Sequence, residues 1–126
     1  MGGDPSFTIP ARPQRRFPYE GGVEYEGETV FRLEPTPEQR TDSLADLVET
    51  VLASGPYRYG DFFELPMALY LVRDDETGDV FRVSVRDGTV RFHVLPETES
   101  DGLRALYERL EARDGIDWRV HCRTDH

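Results

Sequence analysis

Two runs of alternating apolar and polar residues, 80–86 and 89–95, flank the dipeptide Asp87-Gly88. Asp-Gly suits a two-residue hairpin loop in which both central residues take positive φ. A loop of that length leaves no freedom of register. Arg86 must face Thr89, Val85 must face Val90, Ser84 must face Arg91, Val83 must face Phe92, Arg82 must face His93 and Phe81 must face Val94. Because side chains alternate along a strand, Phe81, Val83, Val85, Val90, Phe92 and Val94 share a core face. Arg82, Ser84, Arg86, Thr89, Arg91 and His93 share the opposite one.

The rest of the chain is fitted round this hairpin. Residues 36–54 read as a helix. Thr36 is placed to cap it, Pro37 suits the first helical position, and Leu44, Leu47, Val48, Val51 and Leu52 form one apolar stripe. Gly55-Pro56 ends it. Residues 99–113 read as a second helix with the stripe Leu103, Leu106, Tyr107 and Leu110. Residues 68–73 form an apolar strand. Residues 116–123 alternate cleanly, with Ile116, Trp118, Val120 and Cys122 on one side and Asp117, Arg119, His121 and Arg123 on the other. Residues 23–25 and 29–33 flank Gly27 and predict a small hairpin or one bent strand. The expected fold is a single α+β domain over residues 21–126. Its order is β(hairpin)-α-β-β-β-α-β, an antiparallel-rich, mixed sheet with two amphipathic helices on one face. The crossover through the second helix makes the last strand parallel to the 89–95 strand. Residues 1–20 hold Pro5, Pro10, Pro13 and Pro18 and carry more Arg than acid, which predicts a poorly packed, disordered or extended tail.

Composition sets the environment. The 126 residues carry 15 basic side chains, every one of them Arg, against 25 acids, a formal net charge of −10. Lys and Asn are missing, and Ile occurs only at Ile9 and Ile116. An acidic excess keeps a surface hydrated where salt screens charge repulsion. With Arg replacing Lys, the composition resembles that of proteins from salt-adapted archaea; a GC-rich genome is the simpler alternative. A lone Cys122 excludes an intrachain disulfide and fits a reducing compartment. No basic start leads into an apolar run, so no secretory leader is expected and the predicted location is cytoplasmic. No stretch reaches the roughly 18 apolar residues of a membrane span.

One surface stands out against the acidic background. The hairpin places Arg82, Arg86, Arg91 and His93 outward, and the last strand adds Arg119, His121 and Arg123. Arg matches carboxylate and phosphate with a planar fork. Acidic residues of the hairpin region, Glu20, Glu24, Glu26 and Glu28, or a second copy of the chain, are the expected covering, with a counter-charge within ion-pair reach of Arg91 or Arg119. Nucleic acid is disfavoured, since no aromatic residue interleaves this face and the net charge repels phosphate. The stretch Tyr57, Tyr59, Phe62 and Phe63 is a second candidate binding element, read as a loop that anchors a partner or folds over the sheet end. His121 and Cys122 point to opposite faces, and His93 with His121 supplies fewer ligands than zinc requires, so no metal or cofactor is expected. Cys122 reads as a buried, inert thiol. The acidic turn 74–79 lacks the ligand spacing of a calcium loop. No phosphate loop or nucleophile elbow is present. The expected function is a non-catalytic protein-interaction module using the Arg/His face, with itself as one possible partner. The alternatives are a small-anion-binding or regulatory domain, and a small enzyme with a His general base.

Overall fold

Asp87 and Gly88 take φ values of 51° and 71°, the left-handed pair that a two-residue hairpin loop demands. The register read from the sequence follows, from Arg86↔Thr89 to Arg82↔His93. Beyond this pair the Val94 amide donates to the Thr29 carbonyl at 3.0 Å, continuing the contact with the 28–36 strand on the other side.

The structure, a computed structural model, describes residues 7–16, 24–61, 68–113 and 116–125. In chain order these form β1 (Gln14–Arg16), β2 (Glu24–Glu26), β3 (Glu28–Thr36), α1 (Thr41–Ser54), β4 (Tyr57–Asp61), β5 (Ala68–Asp74), β6 (Val80–Arg86), β7 (Thr89–His93), α2 (Ser100–Glu111) and β8 (Asp117–Asp125). Six strands make one sheet in the order β4-β5-β6-β7-β3-β8, and every pairing in it is antiparallel. β1 and β2 pair separately. The α+β class and the helix and strand order hold. β8 does run parallel to β7 in direction, but β3 lies between them. No helix among the described residues is long and apolar enough to cross a membrane.

Three local expectations are corrected. First, α1 begins at Thr41 rather than Thr36. Residues to Thr36 extend β3, which pairs with β8 along its whole length to Thr36↔Asp117. A continuous ladder outweighs the capping preference of one Thr. Second, Tyr57, Tyr59 and their neighbours form the edge strand β4, paired with β5, rather than a loop. Phe62 and Phe63 lie outside the described residues. Third, Cys122 is exposed. Its partner Phe31 is buried, so Cys122 has core-side parity, but it sits on an edge strand beyond the cover that encloses Trp118.

The core lies between the sheet and both helices. Phe31, Leu33, Phe81, Val83, Val85, Val90 and Phe92 meet Leu44, Val48 and Leu52 of α1 and Leu103, Leu106 and Leu110 of α2, with Trp118 in the same cluster. Phe7 is fully buried there, its ring 5.2 Å from Phe31 and 5.4 Å from Tyr107. Residues 7–16 therefore do not pack as the loose tail that their prolines suggest. Thr29 Oγ1 donates to the Ala11 carbonyl at 2.7 Å, and Arg12 Nε donates to the Thr98 carbonyl at 3.0 Å. The segment is held by burial and side-chain hydrogen bonds, neither of which needs regular backbone.

The start of α2 is fixed from outside the helix. Asp79, buried beneath it, accepts at Oδ1 from the Glu99 amide at 2.8 Å and the Val80 amide at 2.9 Å. Thr98 Oγ1 donates to the Val80 carbonyl and accepts from the Leu95 amide. Burial raises the Asp79 pKa above the ordinary carboxylate value, against these amides, which favour the charged form. Gly102 is required by proximity, since a Cβ there would press into the Asp79 carboxylate.

Two substitutions test this packing by urea denaturation. Phe7→Ala should lose about 3–5 kcal/mol, the range for a truncated core aromatic; a change near zero would restore the loose tail. Gly102→Ala should lose about 1–3 kcal/mol through overpacking, although alanine ordinarily favours a helix. A gain in stability would disprove the close approach.

Candidate functional site: the open face of the sheet

The face of the sheet away from the helices is organised in rows by strand pairing. One row runs Leu71, Arg82, His93, Val30 and Arg123 from β5 to β8. The next runs Leu69, Ser84, Arg91, Arg32 and His121. Arg86 pairs with Thr89, and Glu34 pairs with Arg119, further along. All seven cationic or His positions singled out in the sequence thus share one surface. Arg32 and Val30 join them because β3 inserts between β7 and β8. The outward direction of Arg32 was readable, since it stands between the apolar Phe31 and Leu33. Its neighbours were not.

Arg32 stands directly opposite Arg91 across one strand pair and His121 across the other. Like charges facing each other destabilise a sheet by roughly 0.2–1 kcal/mol. Glu34 relieves part of this, lying 3.9 Å from Arg32 and 3.2 Å from His121 Nε2. Arg86 has Asp87 at 3.4 Å. Among the described residues, Arg82, Arg91, Arg119 and Arg123 have no ion-pair partner. The expected counter-charge on Arg91 or Arg119 is therefore not found among those residues; Glu34, opposite Arg119 in register, turns to Arg32 and His121. The side chains of Glu20, Glu24 and Glu26 lie outside what the structure describes. Arg91 Nε donates to Thr89 Oγ1 at 3.3 Å, and Arg82 Nε is buried with no hydrogen-bond partner among the described residues.

These groups surround two adjoining hollows. The larger, about 520 Å³, is lined by Glu28, Val30, Arg32, Arg91, His93, His121 and Arg123. The smaller, about 350 Å³, takes Arg82, Ser84 and Arg86 together with Leu69, Val94 and Leu95, and shares Glu28, Arg91 and His93 with its neighbour. Pro13 also lines it, so the N-terminal segment passes from the core, at Phe7, round the end of the sheet to this face.

Like Glu28 and Arg91, His93 lines both hollows. Its Nε2 lies 2.7 Å from Ser84 Oγ. Burial, reinforced by the Arg91 and Arg82 cations, pushes its pKa down to about 4, so the ring is neutral at pH 7. A Ser–His contact at this distance is the first requirement of an activated nucleophile. The rest is not met here: no carboxylate among the described residues bonds to His93, and Ser84 is only 2% exposed. The contact holds the imidazole in place.

Tyr57 and Tyr59 are not brought to this surface. They pair with Asp74 and Val72, which places them on the helix side of the β4 edge. Tyr57 lies under the Arg109 guanidinium at 5.5 Å. Burial pushes its phenol up to about 12; the Arg109 cation opposes this while Asp74 and Glu76 add to it. Among the described residues, no group of three or more His, Cys, Asp or Glu side chains is placed to hold a metal ion.

The depressed His93 pKa has a stability consequence. Between about pH 4 and the ordinary value of 6.5, the unfolded chain binds the proton that the folded chain refuses. Stability therefore rises with pH through this window and falls as acid is added. At pH 5, wild type should have lost about 2 kcal/mol more than His93→Gln, each relative to pH 7.5, when urea midpoints are compared. Equal losses would show that His93 is not desolvated.

No family model matches the chain, and neither a curated protein nor a solved structure matches it.

Proposed function

We propose that the open face binds a small anionic ligand without transforming it, through phosphate or carboxylate groups received by Arg82, Arg91 and Arg123. The observation that supports this reading is the crowding of these guanidiniums round two hollows with no ion pair for any of them among the described residues. Arg presents parallel donors that fit such groups. The hollows fall in the size range of small-molecule sites, roughly 300–1,000 Å³. With a net charge of −10, long-range attraction cannot gather anions here, so affinity rests on close, fitted contacts. Such contacts also survive the high salt that the acidic, Lys-free composition suggests.

A symmetric homodimer through this face fits poorly. A two-fold interface sets a patch against its own copy, and arginines would meet arginines. An acidic segment of a different protein is the second reading. It is favoured by Leu71, which is 40% exposed beside Arg82 and offers an apolar contact at the rim.

Thermal unfolding in inorganic phosphate, against chloride at equal ionic strength, tests the first reading. Phosphate should raise the wild-type Tm by mass action. Arg91→Gln should weaken phosphate affinity by about 10–100-fold, the loss of a charged hydrogen bond worth roughly 1.5–3 kcal/mol, and so lower the Tm rise at a given phosphate concentration. Without ligand, the variant should be unchanged or up to about 1 kcal/mol more stable, because Arg32 loses its like-charged neighbour. A variant that responds to phosphate as wild type does would sink the site. Wild type that ignores phosphate and citrate yet binds polyglutamate would favour the protein partner.

A further inference from the structure

The arginines of the open face that have no ion pair among the described residues are distributed unevenly. In the row Arg82, His93, Val30, Arg123, the two ends are cationic and the two middle positions are uncharged at neutral pH. Arg82 lines only the smaller hollow and Arg123 only the larger, while Arg91 lines both. β6 and β8 are three places apart in the sheet. At about 4.8 Å per strand, the backbones of Arg82 and Arg123 stand roughly 14 Å apart. One compact anion beside Arg91 leaves at least one of these ends unmet.

Resting on the anion-binding reading above, we propose that the ligand carries two anionic groups, phosphate or carboxylate, joined by an uncharged spacer of several bonds. One group sits with Arg82 and Arg91 in the smaller hollow, the other with Arg123 and Arg91 in the larger, and the spacer crosses His93 and Val30. The neutral ring of His93 supports this arrangement, since an apolar or polar spacer passes over it without a charge to satisfy. Glu28, shared by the two hollows, disfavours a third anionic group between the two and so restricts charge to the ends.

Calorimetric titration of the full chain distinguishes the possibilities. The probes are methylphosphonate and the α,ω-alkane bisphosphonates with one to six carbons. The expected result is that a bisphosphonate with a spacer longer than one carbon binds at least tenfold tighter than methylphosphonate. Arg82→Gln and Arg123→Gln should each remove that advantage while changing methylphosphonate affinity less than threefold. Circular dichroism and thermal unfolding confirm that each variant is folded, and Arg123, on an edge strand, provides the variant least coupled to the core. Equal affinity for mono- and bisphosphonates, or an advantage that survives both substitutions, would overturn the two-group ligand and leave the single-anion reading standing. No binding of any probe by folded wild type would overturn both.

Discussion

The positive φ values at Asp87 and Gly88 fix β6 against β7, and the two faces of the sheet depend on that register. A slip of one residue would carry Phe81, Val83 and Val85 to solvent and drive Arg82, Ser84 and Arg86 into the core. Burial of Phe81, Val83, Val85, Val90 and Phe92 at 0–1% exposure makes the slip prohibitive. The same alternation that builds the core therefore forces the arginines together on the other side. The open face is basic because the inner face is apolar, and the turn locks the two facts to each other.

β3 brings this arrangement to completion. It supplies Phe31 and Leu33 to the core and Val30 and Arg32 to the open face, and it separates β7 from β8. Inserting Arg32 between Arg91 and His121 adds like charge where a sheet would ordinarily place a neutral or acidic residue. Local rules broken without evident structural compensation mark functional surfaces more often than structural ones. Glu34 and Asp87 compensate only Arg32, His121 and Arg86. Among the described residues, Arg82, Arg91, Arg119 and Arg123 are left without an acid in ion-pair reach.

The helix side follows a different logic. There Asp79 and Thr98 hold the start of α2 to the first residue of β6. Because Gly102 lets the Asp79 carboxylate approach the helix, α2 is fixed at a defined height over the sheet. Phe7 then fills the space between Phe31, Phe92 and Tyr107. The open face on the other side of the sheet is made of strand residues rather than loops, which holds side chains in more reproducible positions.

The sequence alone determined the elements that local chemistry dictates. These are the two-residue hairpin with its register, the amphipathic stripes of both helices, the alternation of β8 and the outward direction of each Arg and His on those strands. Each follows from a period or a turn that a short window contains. The tertiary structure decided what depends on partners distant in sequence. The β8 ladder drew Thr36 into β3, pairing with β5 made a strand of Tyr57–Asp61, and the edge position exposed Cys122. Core space rather than backbone pattern enclosed Phe7. The site divides in the same way. That Arg82, Arg91 and His93 lie side by side was legible, because one turn connects them. That Arg32 and Arg123 join Arg91 and His93 round the larger hollow was not, because only long-range pairing sets which strands are neighbours, and no local preference encodes that choice.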